Sequence, residues 1–110
     1  MTPEGKVKKE CRAYLRSIGA YVFSPVQMGY GQQGLDDFVC IHGLFVAIEY
    51  KRGDKPAKPT ARQEHCIAEV QKANGHAWVV TSLAELQKCL GSLARYYMPQ
   101  CELKERLRYL

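Results

Sequence analysis

The stretch Gly34-Leu35-Asp36-Asp37-Phe38-Val39-Cys40-Ile41-His42-Gly43-Leu44-Phe45-Val46-Ala47-Ile48-Glu49-Tyr50-Lys51 decides the fold. Phe38 to Ile41 and Leu44 to Lys51 are rich in β-branched and aromatic residues. His42-Gly43 between them reads as a turn, so the segment predicts a β-hairpin. Glu49 and Lys51 stand two apart on one strand. Period-two geometry therefore points both to the face that also carries Phe45 and Ala47. A carboxylate and an ammonium beside apolar side chains need a purpose or a partner; the plain alternative is a solvated edge-strand ion pair. On the facing strand Asp36 and Asp37 are adjacent, so only one of them can share the Glu49 face, and register decides which. Pairing Cys40 with Leu44, with Gly43 in a bulge, selects Asp37. A strict two-residue turn at His42-Gly43 selects Asp36.

Outward from the hairpin, the elements are punctuated clearly. Thr2-Pro3 is a capping hydroxyl followed by Pro at the first helical position. Val7, Cys11, Tyr14, Leu15 and Ile18 recur at helical spacing, with Lys6, Lys8, Lys9, Arg12 and Arg16 opposite and Gly19 closing the helix. Tyr21-Val22-Phe23 is a short strand stopped by Pro25. Met28 to Gly34 holds three glycines and is a loop. Its backbone can approach a phosphate chain closely, or it is a plain connector. Downstream, the polar, Pro-containing segment from Arg52 to Pro59 is a loop. Thr60 and Gln63 open a second helix with a capping box, which Gly75 closes. Trp78-Val79-Val80 is a strand, and Ser82 and Glu85 form a second capping box before the stripe Leu83, Leu86, Leu90 and Leu93. Pro99 breaks the chain beyond this stripe. The order helix, strand, strand, strand, helix, strand, helix predicts an α/β sandwich with a small mixed sheet.

Two carboxylates converging at a strand end can hold a hard divalent cation such as Mg²⁺ or Mn²⁺. A cation there polarises a phosphoryl oxygen and acidifies a water. A neighbouring lysine orients that water or stabilises charge on the phosphate. Acid, acid and lysine form a coherent set for phosphodiester hydrolysis.

Gly34-Leu35-Asp36-Asp37, then Ile48-Glu49-Tyr50-Lys51, then Thr60 and Gln63 resemble the PD-(D/E)xK nuclease superfamily. Within it the chain is similar to the virus-type replication-repair nuclease family, VRR-NUC. Thr2-Pro3-Glu4, the Tyr30-Gly31 loop and the Gly75 turn before Trp78-Val79-Val80 add to the likeness, which runs from Thr2 to about Glu85. The resemblance implies a restriction-endonuclease-like αβββαβ core, a small mixed sheet flanked by helices. It implies a nuclease domain over residues 1–98 and a basic tail over 99–110, read as a short helix with Lys104, Arg106 and Arg108. It implies that Asp37 and Glu49 bind Mg²⁺ or Mn²⁺ and that Lys51 assists the nucleophile. It favours the register that puts Asp37 on the Glu49 face. Gln63 and Glu4 correspond to family residues on the second and first helices. In the bland reading Gln63 only completes the capping box and Glu4 only favours the helix dipole. The family usually carries Pro before its first acid. Asp36 stands there instead, either weakening the strand bend or adding a carboxylate near the metal.

The 110 residues make one domain, 46% hydrophobic, with a formal charge of +5 and a pI near 9.0. A domain this small gains limited stability from its own core, so a homodimer is a natural supplement. A basic surface favours a polyanion. Lys6, Lys9, Arg52, Lys55, Lys58 and Arg62 are candidate phosphate contacts, with Tyr30 and Gln32 on the glycine loop as further nucleic-acid contacts. The five cysteines show no zinc or redox spacing, and the three histidines do not cluster. No signal peptide or spanning segment is evident. The expectation is an intracellular, cytoplasmic protein of a bacterium or viral host cell, without a membrane partner. The functional expectation is a metal-dependent DNA endonuclease acting on junctions or flaps in viral or mobile-element replication and repair. The alternatives are a non-catalytic nucleic-acid-binding module and a subunit of a repair assembly.

Overall fold

A computed structural model describes residues 1–26 and 34–97. The first helix, α1 (Pro3–Ser17), starts as its punctuation dictates. Thr2 accepts a hydrogen bond from the Gly5 amide, Pro3 occupies the first turn, and Gly19 follows the helix at φ 86°. Strands β1 (Tyr21–Phe23), β2 (Asp37–Ile41) and β3 (Leu44–Tyr50) come next, then α2 (Ala61–Lys72), β4 (His76–Val80) and α3 (Leu83–Tyr97). Tyr30, Gln32 and the tail over 99–110 lie outside the described residues.

Two helix boundaries differ from the sequence reading. Gly75 does not provide the left-handed residue after α2; Asn74 does, at φ 67°. Gly75 is needed for closeness instead, since a Cβ there would lie 2.9 Å from Val70 Cγ1 and 3.1 Å from Phe45 Cδ1. At α3, the Ser82 hydroxyl accepts from the Glu85 amide, but the Glu85 carboxylate accepts from the amide and hydroxyl of Thr81. The reciprocal arm therefore lands one residue earlier than a capping box requires.

The sheet runs β1-β2-β3-β4, with antiparallel pairs on either side of β2 and a parallel β3–β4 pair joined by α2. This is the mixed sheet expected. Val39 and Ile41 of β2 and Val46, Ile48 and Tyr50 of β3 face one side. There they pack against Cys11 and Leu15 of α1 and Leu86 and Leu90 of α3. The other side receives α2, which buries none of its residues fully and covers β3 and β4. Glu49 and Lys51 belong to this second, thinly covered side. Among the described residues the free thiols range from buried (Cys11) through half-buried (Cys66, Cys89) to exposed (Cys40). No helix among the described residues is long and apolar enough to cross a membrane.

Candidate active site

The hairpin turn settles which aspartate meets Glu49. His42 and Gly43 both take positive φ, 47° and 79°, as a tight two-residue primed turn requires. Its twist matches that of the flanking strands, so no bulge is inserted. Ile41 pairs with Leu44, Cys40 with Phe45 and Asp37 with Ile48. One step further, Asp36 lies opposite Glu49. The register favoured by the resemblance, with Asp37 on the Glu49 face, is corrected: Asp37 shares the opposite face, with Ile48.

On that face Asp37 is sealed. It is fully buried, and Arg12 of α1 donates to both of its oxygens, at 2.9 and 2.8 Å. The Ser24 hydroxyl donates at 2.6 Å and the Tyr50 hydroxyl at 2.7 Å. Burial alone would push this carboxyl up, but the hydrogen bonds from Arg12, Ser24 and Tyr50, with the charge of Arg12, hold it below the usual carboxylate range. Those same contacts occupy its lone pairs. Arg12 also lies over the Tyr50 ring, 5.8 Å from its centroid. The whole constellation ties α1 to β2 and β3.

Asp36 and Glu49 form the other carboxylate set. Asp36 Oδ2 accepts from the Tyr50 amide at 2.9 Å, which leaves Oδ1 directed elsewhere. Glu49 is 5% exposed. Its carboxyl is pushed up to about 7 by burial and by the charge and hydrogen bond of Asp36, against the pull of Lys51. Lys51 Nζ stands 3.7 Å from Glu49 Oε2. The Lys51 amide donates to Val80 and so extends the parallel ladder past the end of β3. From α1, Lys8 Nζ reaches Asp36 Oδ1 at 3.4 Å and Glu4 Oε2 at 3.3 Å. Glu4 therefore stands at the margin of the site and adds to the upward push on Glu49.

Among the described residues, no three Asp, Glu, His or Cys side chains converge in a metal-holding group. The donor set nevertheless fits Mg²⁺ or Mn²⁺. Two hard carboxylates press together at a strand end, and one of them is driven to keep a proton that a divalent charge would replace. Mg²⁺ is commonly held by one or two carboxylates and keeps several waters.

Gln63 lines a shallow hollow with Gly34 and Thr60. Gln63 Oε1 accepts from the Thr60 amide at 2.9 Å, and Thr60 Oγ1 accepts from the Gln63 amide at 3.2 Å. Its side chain is thus turned to the cap. Arg52 is locked to Asp54 by two 2.6 Å hydrogen bonds in the exposed loop after β3. Lys6, Lys9, Lys55, Lys58 and Arg62 are exposed. Sequence reasoning places Lys8 and Arg12 on the basic face of the first helix and gives them no partner among the acids. The signal is the i, i+4, i+8 spacing of Glu4, Lys8 and Arg12, one helix stripe long enough to meet both aspartates.

Neither a family model nor a curated protein matches the chain. A solved structure described as a VRR_NUC domain does, at 23% identity and a TM-score of 0.71, over 88% of this chain and 100% of the other. The chain has the fold of a VRR_NUC domain. In that fold the hairpin and the end of β4 bring Asp36, Glu49 and Lys51 to one end of the sheet, with α1 alongside. The VRR_NUC architecture agrees with the fold that the resemblance implies.

Proposed function

We propose that this chain is a VRR-NUC nuclease that hydrolyses DNA phosphodiester bonds with Mg²⁺ or Mn²⁺, held by Asp36 and Glu49. The observation that carries the reading is the pair itself. Two carboxylates share one face at the end of the hairpin, one is buried enough to retain a proton near neutrality, and Lys51 extends the same strand beside them. A structural ion pair has no need of the second acid. Bound there, the cation would supply Lewis acidity toward the scissile phosphate and a water acidified for attack. Asp36, anchored through Oδ2, presents Oδ1, and Glu49 presents its carboxylate from the thinly covered face. Lys51 stabilises charge on the phosphoryl oxygens or orients the attacking water. Asp37 takes no part in this chemistry; it holds the helix that flanks the site.

Branched DNA is the substrate form we favour, with two copies of the chain presenting two sites to two strands. The test is cleavage of labelled single strand, duplex, flap and four-way junction with Mg²⁺, Mn²⁺ or EDTA. Metal-dependent cutting that is lost in Lys51→Ala and Asp36→Asn supports the reading. Binding of the panel without cutting by the unaltered chain would replace it with a non-catalytic nucleic-acid-binding module.

A further inference from the structure

Lys8 is where α1 meets the carboxylate pair. Its ammonium lies 3.4 Å from Asp36 Oδ1 and 3.3 Å from Glu4 Oε2. Neither distance is that of a tight charge-assisted bond, so the ammonium is shared between two acids and committed to neither. The Asp36 oxygen it approaches is the one the Tyr50 amide leaves open. Its side chain is about a quarter exposed, and its four-carbon stem can swing toward solvent. Arg12, one turn along the same stripe, anchors the helix through its paired bonds to Asp37. Releasing Lys8 therefore does not release α1.

We propose that Lys8 is a resident counter-ion of the site. It competes with the divalent cation for Asp36, and when the cation takes that carboxylate the freed ammonium contacts the phosphate of the nucleic-acid substrate. This rests on the reading of Asp36 and Glu49 as the cation-holding pair. A single positive charge held beside a doubly charged ion opposes its binding. Removing the ammonium while keeping the stem should therefore tighten the cation and weaken the substrate. A surface ion pair of ordinary worth would do neither.

The experiment is calorimetric titration of Mn²⁺ into the unaltered protein, Lys8→Met and Lys8→Arg, with KM and kcat for a labelled DNA measured alongside. Thermal melting checks that each variant is folded. The expected result is Mn²⁺ binding tightened about tenfold in Lys8→Met, with KM for DNA raised several-fold, and values near the unaltered ones in Lys8→Arg. Unchanged or weaker Mn²⁺ binding in Lys8→Met, where the unaltered protein binds the ion, overturns the role of Lys8 alone. Tighter Mn²⁺ binding with unchanged KM overturns its contact with substrate. Absence of Mn²⁺ binding by the unaltered protein overturns the Asp36–Glu49 reading and the role of Lys8 with it. Lys8→Gln, a second neutral side chain, repeats the test if Lys8→Met does not fold.

Discussion

Adjacent aspartates with opposite fates give the sharpest test of the site. Asp37→Asn leaves Arg12 facing a neutral amide in a buried pocket. Removing one partner of a buried pair costs about 3–5 kcal/mol, and the partial exposure of Arg12 reduces that to roughly 2–3 kcal/mol. A fall in Tm of roughly 10 °C or more is expected in thermal denaturation, while the folded fraction retains cleavage. Asp36→Asn should change Tm far less and reduce kcat by about a hundredfold or more, as loss of a group acting on the reacting centre does. If the two outcomes are exchanged, Asp37 is the functional acid. Glu49 gives a pH test. Its ordinary value is 4.5 and its folded value about 7, so the folded state binds a proton more tightly than the unfolded chain. The associated stability is fully present below 4.5 and is lost as pH rises through about 7. The metal-free protein should therefore melt lower at pH 8 than at pH 5.5 by this contribution. Mg²⁺ should raise Tm more at pH 8, where it has no proton to displace. Equal shifts at both pH values would remove Glu49 from the cation site. In the sequence, Glu49 and Lys51 are legible because two-residue spacing needs no register. The choice between Asp36 and Asp37 is not, because it depends on whether His42 accepts positive φ, which a β-carbon disfavours and the turn's twist demands.

At the scale of elements, α1 reads β2. Glu4, Lys8 and Arg12 recur every fourth residue, and that stripe delivers Lys8 to Asp36 and Arg12 to Asp37. From sequence, a helix with so many lysines offers a basic face to phosphate or to solvent. Its partners are invisible until the hairpin register is known, so this coupling stays hidden while the helix itself, capped by Thr2 and Pro3, is plain. The α2–β4 corner shows the converse. Gly75 is easy to see and easy to give the wrong task, because a glycine after a helix suggests a left-handed cap and Asn74 serves that conformation as well. The tight contact is the testable part. Gly75→Ala places a methyl 2.9 Å from Val70 Cγ1 and 3.1 Å from Phe45 Cδ1. Such overpacking costs about 1–3 kcal/mol, and urea denaturation should show a lower midpoint with the slope unchanged. Asn74→Gly, which relieves a strained φ, should be neutral or slightly stabilising by the same measurement.

For the molecule as a whole, the order of elements and the mixed sheet are legible because each boundary carries its own chemical mark. The uneven coverage of the sheet is not. α2 shields β3 and β4, and leaves Tyr21 and Phe23 of β1 and Phe45 of β3 exposed; hydrophobic spacing alone does not say how far one helix reaches. The charge is likewise a global property that needs placing. The excess of +5 includes Lys6 and Lys9, which stay exposed on α1, near the Lys8–Asp36 contact but outside the ion pairs that hold the site. If these two lysines contact substrate phosphates, each releases counterions on binding. The logarithm of the affinity then falls with the logarithm of salt at a slope of about −0.9 per phosphate neutralised on duplex DNA. Lys6→Ala/Lys9→Ala should weaken duplex binding to a similar extent whatever the sequence and flatten that slope by about 2. Fluorescence anisotropy across a salt series measures both. The double variant should keep its Mn²⁺ affinity, because neither lysine touches Asp36 or Glu49. A flatter slope at unchanged Mn²⁺ affinity places the phosphate track along α1. An unaltered slope moves that track to the loop bearing Lys55 and Lys58.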